Sequence, residues 1–138
     1  MIVGFTGTRN GMTKQQEMIV FAYLAKLKPS TVLHGDCIGS DADFHKICME
    51  LGLVIEIYPS NLKTRAYCSG ATRVYPPDDP LHRNRVIVDR ADVMLATPKG
   101  YKEELRSGTW AAIRYAQRQV KKLYIIWPDG TIGLMRVG

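Results

Sequence analysis

The sequence predicts a three-layer α/β fold with a mostly parallel sheet, helices on both faces and an antiparallel C-terminal edge strand. Three observations carry that prediction. Short apolar runs alternate with amphipathic stretches of helical period, the signature of repeated strand–helix units. Glycine-bearing turns close the apolar runs at Gly4–Arg9, His34–Asp41 and Thr97–Gly100, and Ser107-Gly108-Thr109 opens a helical pattern. Finally, Pro128-Asp129-Gly130-Thr131 is a strong turn signal, after which Thr131–Val137 can return as an edge strand.

Taken in order, Ile2–Phe5 reads as a buried strand. Thr13-Lys14-Gln15-Gln16 is a capping box opening a helix to about Leu27, with Met18, Phe21, Ala22 and Ala25 as its inward face and Pro29 as its stop. Thr31–Leu33 is a second strand, followed by a helix from Asp41 to Leu51 that ends at Gly52. Val54–Tyr58 is a third strand. Asp79 as N-cap and Pro80 at the first helical position start a third helix. Val93–Ala96 is a fourth strand, Thr109–Gln119 a fourth helix and Leu123–Trp127 a fifth strand. Between Asn61 and Asp79 no period is visible, and structureless loops of that length in compact domains are often lids or binding loops.

The 138 residues read as one domain, and their 46% hydrophobic and 23% charged composition is that of a soluble globular chain. No apolar run approaches a membrane span and no basic–apolar leader is visible. Cys37, Cys48 and Cys68 are odd in number and lack a C-x-x-C spacing, which suggests a reducing, cytoplasmic setting. Lys and Arg exceed Asp and Glu by 19 to 13, for a net charge of +6, which suits an anionic partner.

In sheets of this kind, ligands bind beyond the carboxyl ends of the strands, where the glycine turns fall. Gly7, Thr8 and Arg9 place small, polar and cationic groups where a phosphate can sit. The turn matches neither the dinucleotide G-x-G-x-x-G pattern nor a Walker A loop. Gly35, Asp36, Gly39 and Asp41 combine flexible backbone with two carboxylates able to accept from ribose hydroxyls, while Ser40 or Asp41 alternatively serves as a plain N-cap. Arg83 and Asn84 lie in the first turn of the third helix, and the guanidinium can grip phosphate in a bidentate contact. Ser107, Gly108 and Thr109 offer N–H groups and hydroxyls to an anion at a helix N-terminus, where Ser107 also suits ordinary capping. His34 with Cys37, or Asp41 with His45, can be written as metal-ligand pairs. Neither completes a tetrahedral site, so no metal and no resident cofactor is expected.

The order and spacing of these motifs (Gly4-Phe5-Thr6-Gly7-Thr8-Arg9, His34-Gly35-Asp36-x-x-Gly39-x-Asp41, Arg83-Asn84 with Asp92, and Ser107-Gly108-Thr109) resemble the SLOG superfamily of Rossmann-like domains. That superfamily groups Smf/DprA and "lonely guy" proteins, and the resemblance is strongest to its YspA/YpsA-like branch. It spans nearly the whole chain and implies a Rossmann-like fold, a nucleotide-like or NAD-derived ligand at the glycine turns, and a homo-oligomer. The "lonely guy" enzymes hydrolyse the N-glycosidic bond of nucleoside 5′-monophosphates with an arginine and a glutamate in P-G-G-x-G-T-x-x-E. Here Arg83 stands nine residues before Asp92, as that arginine does, but the glutamate position falls on Ala112 and Leu105-Arg106 replaces the glycine pair.

Three functions follow as expectations. The first is binding of a nucleotide-derived or NAD-derived small molecule without turnover, by a sensor or by a sequestering protein (a sponge for an immune signal if the chain is encoded by a phage). Tyr67 or Tyr75 would then stack on the base. The second is an N-glycoside hydrolase or phosphoribohydrolase in which Arg83 is catalytic, with Asp36 or Asp41 replacing the missing carboxylate. The third is single-stranded nucleic-acid binding through Arg65-Ala66-Tyr67 and Arg73-Val74-Tyr75. No membrane partner is expected.

Overall fold

The computed structural model describes residues 1–135. A seven-stranded sheet carries β1 (Ile2–Gly7), β2 (Thr31–His34), β3 (Ile55–Ile57), β4 (Arg73–Val74), β5 (Val93–Thr97), β6 (Lys122–Ile126) and β7 (Ile132–Met135). Their order is β4-β3-β2-β1-β5-β6-β7, every pair parallel except β6 with β7. The Rossmann-like three-layer class predicted from the sequence is therefore the class observed. The predicted edge strand is present as β7, and Arg136 and Val137 lie outside the described residues.

Period-two alternation splits the strands between two cores. Val93 and Leu95 of β5 join the core under α1 (Lys14–Leu27) and α2 (Ser40–Glu50), with Phe5 stacked on Phe44. Met94 and Ala96 join the core under α3 (Pro80–Arg90) and α4 (Gly108–Arg118). From β1 the chain winds outward through β2 and β3, then crosses to β5 on the other side of β1. The β1/β5 boundary is thus a topological switch point, the place where open α/β sheets leave a crevice.

The capping box of α1 is present: the Gln16 amide N–H donates to Thr13 Oγ1 at 3.1 Å, and the Thr13 N–H donates to Gln16 Oε1 at 2.9 Å. The inward face differs from expectation. Gln16, Val20 and Leu24 are buried, whereas Met18 and Phe21 are exposed at 66% and 41%, and Ala22 and Ala25 also face outward. Gln16 sets this rotation by donating from Nε2 to the Pro98 and Ile126 carbonyls, each at 2.9 Å, which ties α1 to the ends of β5 and β6. A long-range amide contact of this kind is invisible to hydrophobic periodicity. The segment 61–79 also differs, because it contains β4 paired to β3 and is pinned by bridges Cys37–Arg65 and Ser60–Asp78. No helix among the described residues is long and apolar enough to cross a membrane.

Candidate functional site

A cavity of about 510 Å³ opens at the carboxyl ends of β1 and β5. One wall is the β1–α1 turn, with Gly7, Thr8, Arg9 and Asn10. The floor comes from the turn after β2, with Gly35, Cys37 and Asp41. Arg83 and Asn84 of α3 form a second wall, and Lys99, Arg106, Ser107, Gly108 and Thr109 of the β5–α4 arm form the third. Of the glycine-turn, α3 and α4 residues expected to bind phosphate or ribose, Asp36 and Gly39 do not line this cavity, and Gly7, Thr8, Arg9, Gly35, Asp41, Arg83, Asn84, Ser107, Gly108 and Thr109 do.

The floor is saturated with internal contacts. Gly35 lies so close to Arg83 that a Cβ there would sit 2.1 Å from Arg83 Nη1. Arg83 is only 7% exposed. It donates from Nη1 to the Gly35 and Tyr58 carbonyls at 2.8 and 3.2 Å, from Nε to Asn84 Oδ1 at 2.9 Å, and from Nη2 to Cys37 Sγ at 3.6 Å. A guanidinium has five N–H donors, so one remains for a ligand. Arg83 is a clamp across the ends of β2 and β3 that lends the cavity its charge, and the bidentate phosphate grip expected from sequence is not open to it.

Asp41 is equally committed. Its Oδ2 accepts from the Gly35 and Cys37 N–H groups, both at 3.1 Å. Burial pushes its carboxyl up to about 6, opposed by Arg83 and by those two N–H groups. Burial and the Asp41 charge together raise the Cys37 thiol, so it stays protonated and is no activated nucleophile. Neither Ser40 nor Asp41 caps α2. The N-cap is Gly39, at φ 85°, and Ser40 Oγ instead donates to the Thr8 carbonyl at 2.7 Å. A Cβ on Gly39 would lie 2.1 Å from the Arg9 carbonyl oxygen, so glycine there lets two turns close on each other.

Asp36 points away from the cavity and anchors the long loop. It sits in the left-handed region at φ 58°, a conformation aspartate tolerates. Its Oδ2 takes Arg65 Nε at 3.1 Å, its Oδ1 takes the Cys68 N–H at 2.9 Å, and its carbonyl accepts from the Ala66 N–H. A carboxylate 1% exposed requires such partners, which leaves none of it for a ribose.

Beside it runs a relay of ring nitrogens. The Asp36 N–H donates to His34 Nδ1 at 2.9 Å, so the His34 proton sits on Nε2 and faces His45 Nδ1 at 2.9 Å; His45 Nε2 then donates to the Ser69 carbonyl at 2.7 Å. Burial, with His45 adding, lowers His34 to about 3 and keeps it neutral. Cys68 joins the two imidazoles within 4.8 Å. A metal on this trio would need His34 Nε2, forcing a proton onto Nδ1 against the Asp36 N–H. Every ring nitrogen is spent on holding the loop.

The β5–α4 arm is different. Ser107 Oγ accepts from the Trp110 N–H, the ordinary cap foreseen from sequence. Gly108 and Thr109 N–H have no partner among the described residues, and a Cβ on Gly108 meets nothing within 4 Å. Lys99 pairs with Glu104 at 3.3 Å. Arg9 and Arg106 have no side-chain partner among the described residues and stand uncommitted at the rim. Lys99 and Arg106 were not among the binding residues read from the sequence, although Lys99 lies in the Thr97–Gly100 turn and Arg106 directly precedes Ser107; a single cation beside a turn carries no motif of its own. Tyr75 stacks on Tyr58 at 4.2 Å with Arg73 over its ring, and Tyr67 is capped by Arg65; neither tyrosine lines the cavity.

No family model matches the chain, and no curated protein matches it. Solved structures resemble it in fold. The molybdenum cofactor binding protein from the phototrophic bacterium Rippkaea orientalis superposes with a TM-score of 0.70 at 16% identity, over 93% of this chain and 77% of that one. TM1055 gives 0.63 at 22% identity over 88% of this chain and 71% of its own. DNA processing protein A from Helicobacter pylori, described for its single-stranded DNA binding mode, gives 0.64 at 18% identity over 91% and 64%. These define the class of protein as Rossmann-like.

Proposed function

We propose that this chain, a Rossmann-like nucleotide-binding unit of the SLOG type, binds a nucleotide-derived or NAD-derived small molecule in the switch-point cavity. One observation carries the reading: Arg9 on the β1–α1 wall, and Arg106 beside the free N–H groups of Gly108 and Thr109 on the β5–α4 wall, have no partners among the described residues, at the sheet boundary where this topology leaves a crevice. Two arginines and a helix N-terminus left open fit a phosphate. That two fold neighbours are described by a cofactor and by DNA is in keeping with it. Binding without turnover is favoured, because Ala112 is buried where related enzymes carry glutamate and the Cys37 thiol is protonated.

Isothermal titration with a panel of nucleoside mono- and diphosphates, NAD and ADP-ribose tests the reading. At least one should bind, and Arg9→Ala and Arg106→Ala should each weaken it about tenfold or more. A ligand bound with unchanged affinity by both variants would remove the site assignment.

One observation favours hydrolysis of an N-glycosidic bond as a second reading: Asp41 lines the cavity with a carboxyl held near 6, suited to deliver a proton at neutral pH. Release of free base from the bound nucleotide, lost in Asp41→Asn, would establish it. No release at high protein concentration would end it.

A further inference from the structure

A second concavity adjoins the main cavity at α3. Leu81 and Asn84, which line the main cavity, also line this second one, of about 300 Å³, between α3 and α4. Asn84 stands on the saddle, its Oδ1 held by Arg83 and its Nδ2 reaching the Gly108 carbonyl at 3.4 Å. The second groove is lined by cations and by no carboxylate: Arg85 from α3, and Arg114 and Arg118 from α4. Helical spacing creates this, since Leu81, Asn84 and Arg85 share one face of α3, and Ala111, Arg114, Tyr115 and Arg118 share one face of α4.

Their commitments differ. Arg114 is paired with Glu103 at 2.7 Å, outside the groove. Arg85 and Arg118 lie 5.2 and 5.6 Å from the centroid of the Tyr115 ring, and neither has a carboxylate partner among the described residues. Tyr115 is itself held by Asp89, to which its hydroxyl donates at 2.7 Å. Two exposed guanidiniums are thus arranged around one aromatic ring, in a groove that shares Leu81 and Asn84 with a neighbouring cavity that is itself cation-rich. At 1.5 Å per residue, Tyr115 lies about 10 Å along α4 from Gly108. A single phosphate held at the start of α4 cannot reach these arginines, whereas a second anionic group on the same molecule can.

We propose that the groove holds the second phosphate of a linear, 5′-phosphorylated dinucleotide whose first phosphate lies between Arg9, Arg106 and the α4 N-terminus. This rests on the nucleotide-binding reading of the main cavity and adds to it the class of ligand. Arg85 and Arg118 are the specificity residues, and they discriminate a dinucleotide from a mononucleotide.

The test is calorimetry with the four nucleoside 5′-monophosphates and their 5′-phosphorylated homodinucleotides, on the wild-type chain and on the double variant Arg85→Ala/Arg118→Ala. At least one dinucleotide should bind about tenfold or more tightly than its mononucleotide, with a steeper salt dependence. The double variant should lose that advantage while keeping the mononucleotide affinity and the melting temperature, because both arginines are exposed. Equal affinities in the wild type, or an advantage that survives the double variant, overturns the proposal and leaves the main cavity reading standing. Affinity that keeps rising with strand length beyond two nucleotides also overturns it, in favour of a nucleic-acid strand. A double variant that changes sedimentation but not discrimination assigns the groove to a contact between copies of this chain. No binding of any of these probes overturns the dinucleotide proposal and leaves the main cavity reading to the diphosphate, NAD and ADP-ribose titrations.

Discussion

The turn after β2 and the arm between β5 and α4 close on the same cavity, yet they are built in opposite ways. In the first, the polar groups are held within the protein: Asp41 accepts from two N–H groups, His34 stands in a directed relay, and Arg83 reaches in from α3 to the carbonyls at both adjoining strand ends with one donor left over. In the second, two N–H groups, one arginine and the space around one glycine have no internal use. Saturated groups give a rigid floor, and unsaturated ones give a receptive wall. The presence of glycine does not separate the two, since Gly35 is forced by Arg83 and Gly108 is forced by nothing in the protein. Space around the glycine separates them.

The sharpest contrast lies in alanine replacements. Gly39→Ala places a Cβ at 2.1 Å from a backbone carbonyl in a left-handed conformation, and it should lower unfolding free energy by about 3 kcal/mol or more in urea melts. Gly108→Ala has open room and should change stability by no more than about 1 kcal/mol while weakening nucleotide binding. Comparable losses of stability in the two would erase the distinction between floor and wall.

Next in size is Asp36→Ala, which leaves Arg65 and the Cys68 N–H without their acceptor. It should cost about 3 kcal/mol and speed proteolysis within residues 61–79, with the hydrogen-bonded amides of α4 from Ala111 onward keeping their exchange protection. Uniform loss of protection across both regions would show that the floor is not a separate unit.

The pH dependence then divides the floor itself. Asp41 is raised from 3.8 to about 6, so its contribution is fully present below pH 3.8 and is lost as pH rises through 6. His34 is lowered from 6.5 to about 3, so its contribution is present above pH 6.5 and is lost as pH falls toward 3. The two oppose each other between pH 3.8 and 6. Asp41→Asn should therefore make stability fall more steeply on acidification, by up to about 1.4 kcal/mol per pH unit. An unchanged slope would mean that Asp41 titrates normally.

The smallest effect concerns α1. Met18→Ser and Phe21→Ser, on the exposed face, should stay within about 0.5 kcal/mol, against about 2–5 kcal/mol for Leu24→Ala.

The fold was readable because its signals are local. Asp79 accepts from the Leu81 and His82 N–H groups as the Asp-Pro pair foretold, and the capping box of Thr13 needed only four residues. The cavity was readable for the same reason, as glycine turns mark strand ends. What escaped was set by distant partners. Gln16 is drawn inward by carbonyls more than eighty residues away. Asp36 is turned from ribose acceptor to loop anchor by Arg65 and Cys68, and β4 is too short to have a period. Arg83 was placed correctly, but its donors are consumed by carbonyls that no motif announces.

The most direct measurement is native mass spectrometry of the wild-type chain and of Gly108→Val, each incubated with the nucleotide panel. A nucleotide-mass adduct is expected on the wild type, and its loss in a Gly108→Val protein that is still folded, because that side chain would enter space the protein leaves open. An adduct retained in Gly108→Val, or no adduct on either protein, would contradict that expectation.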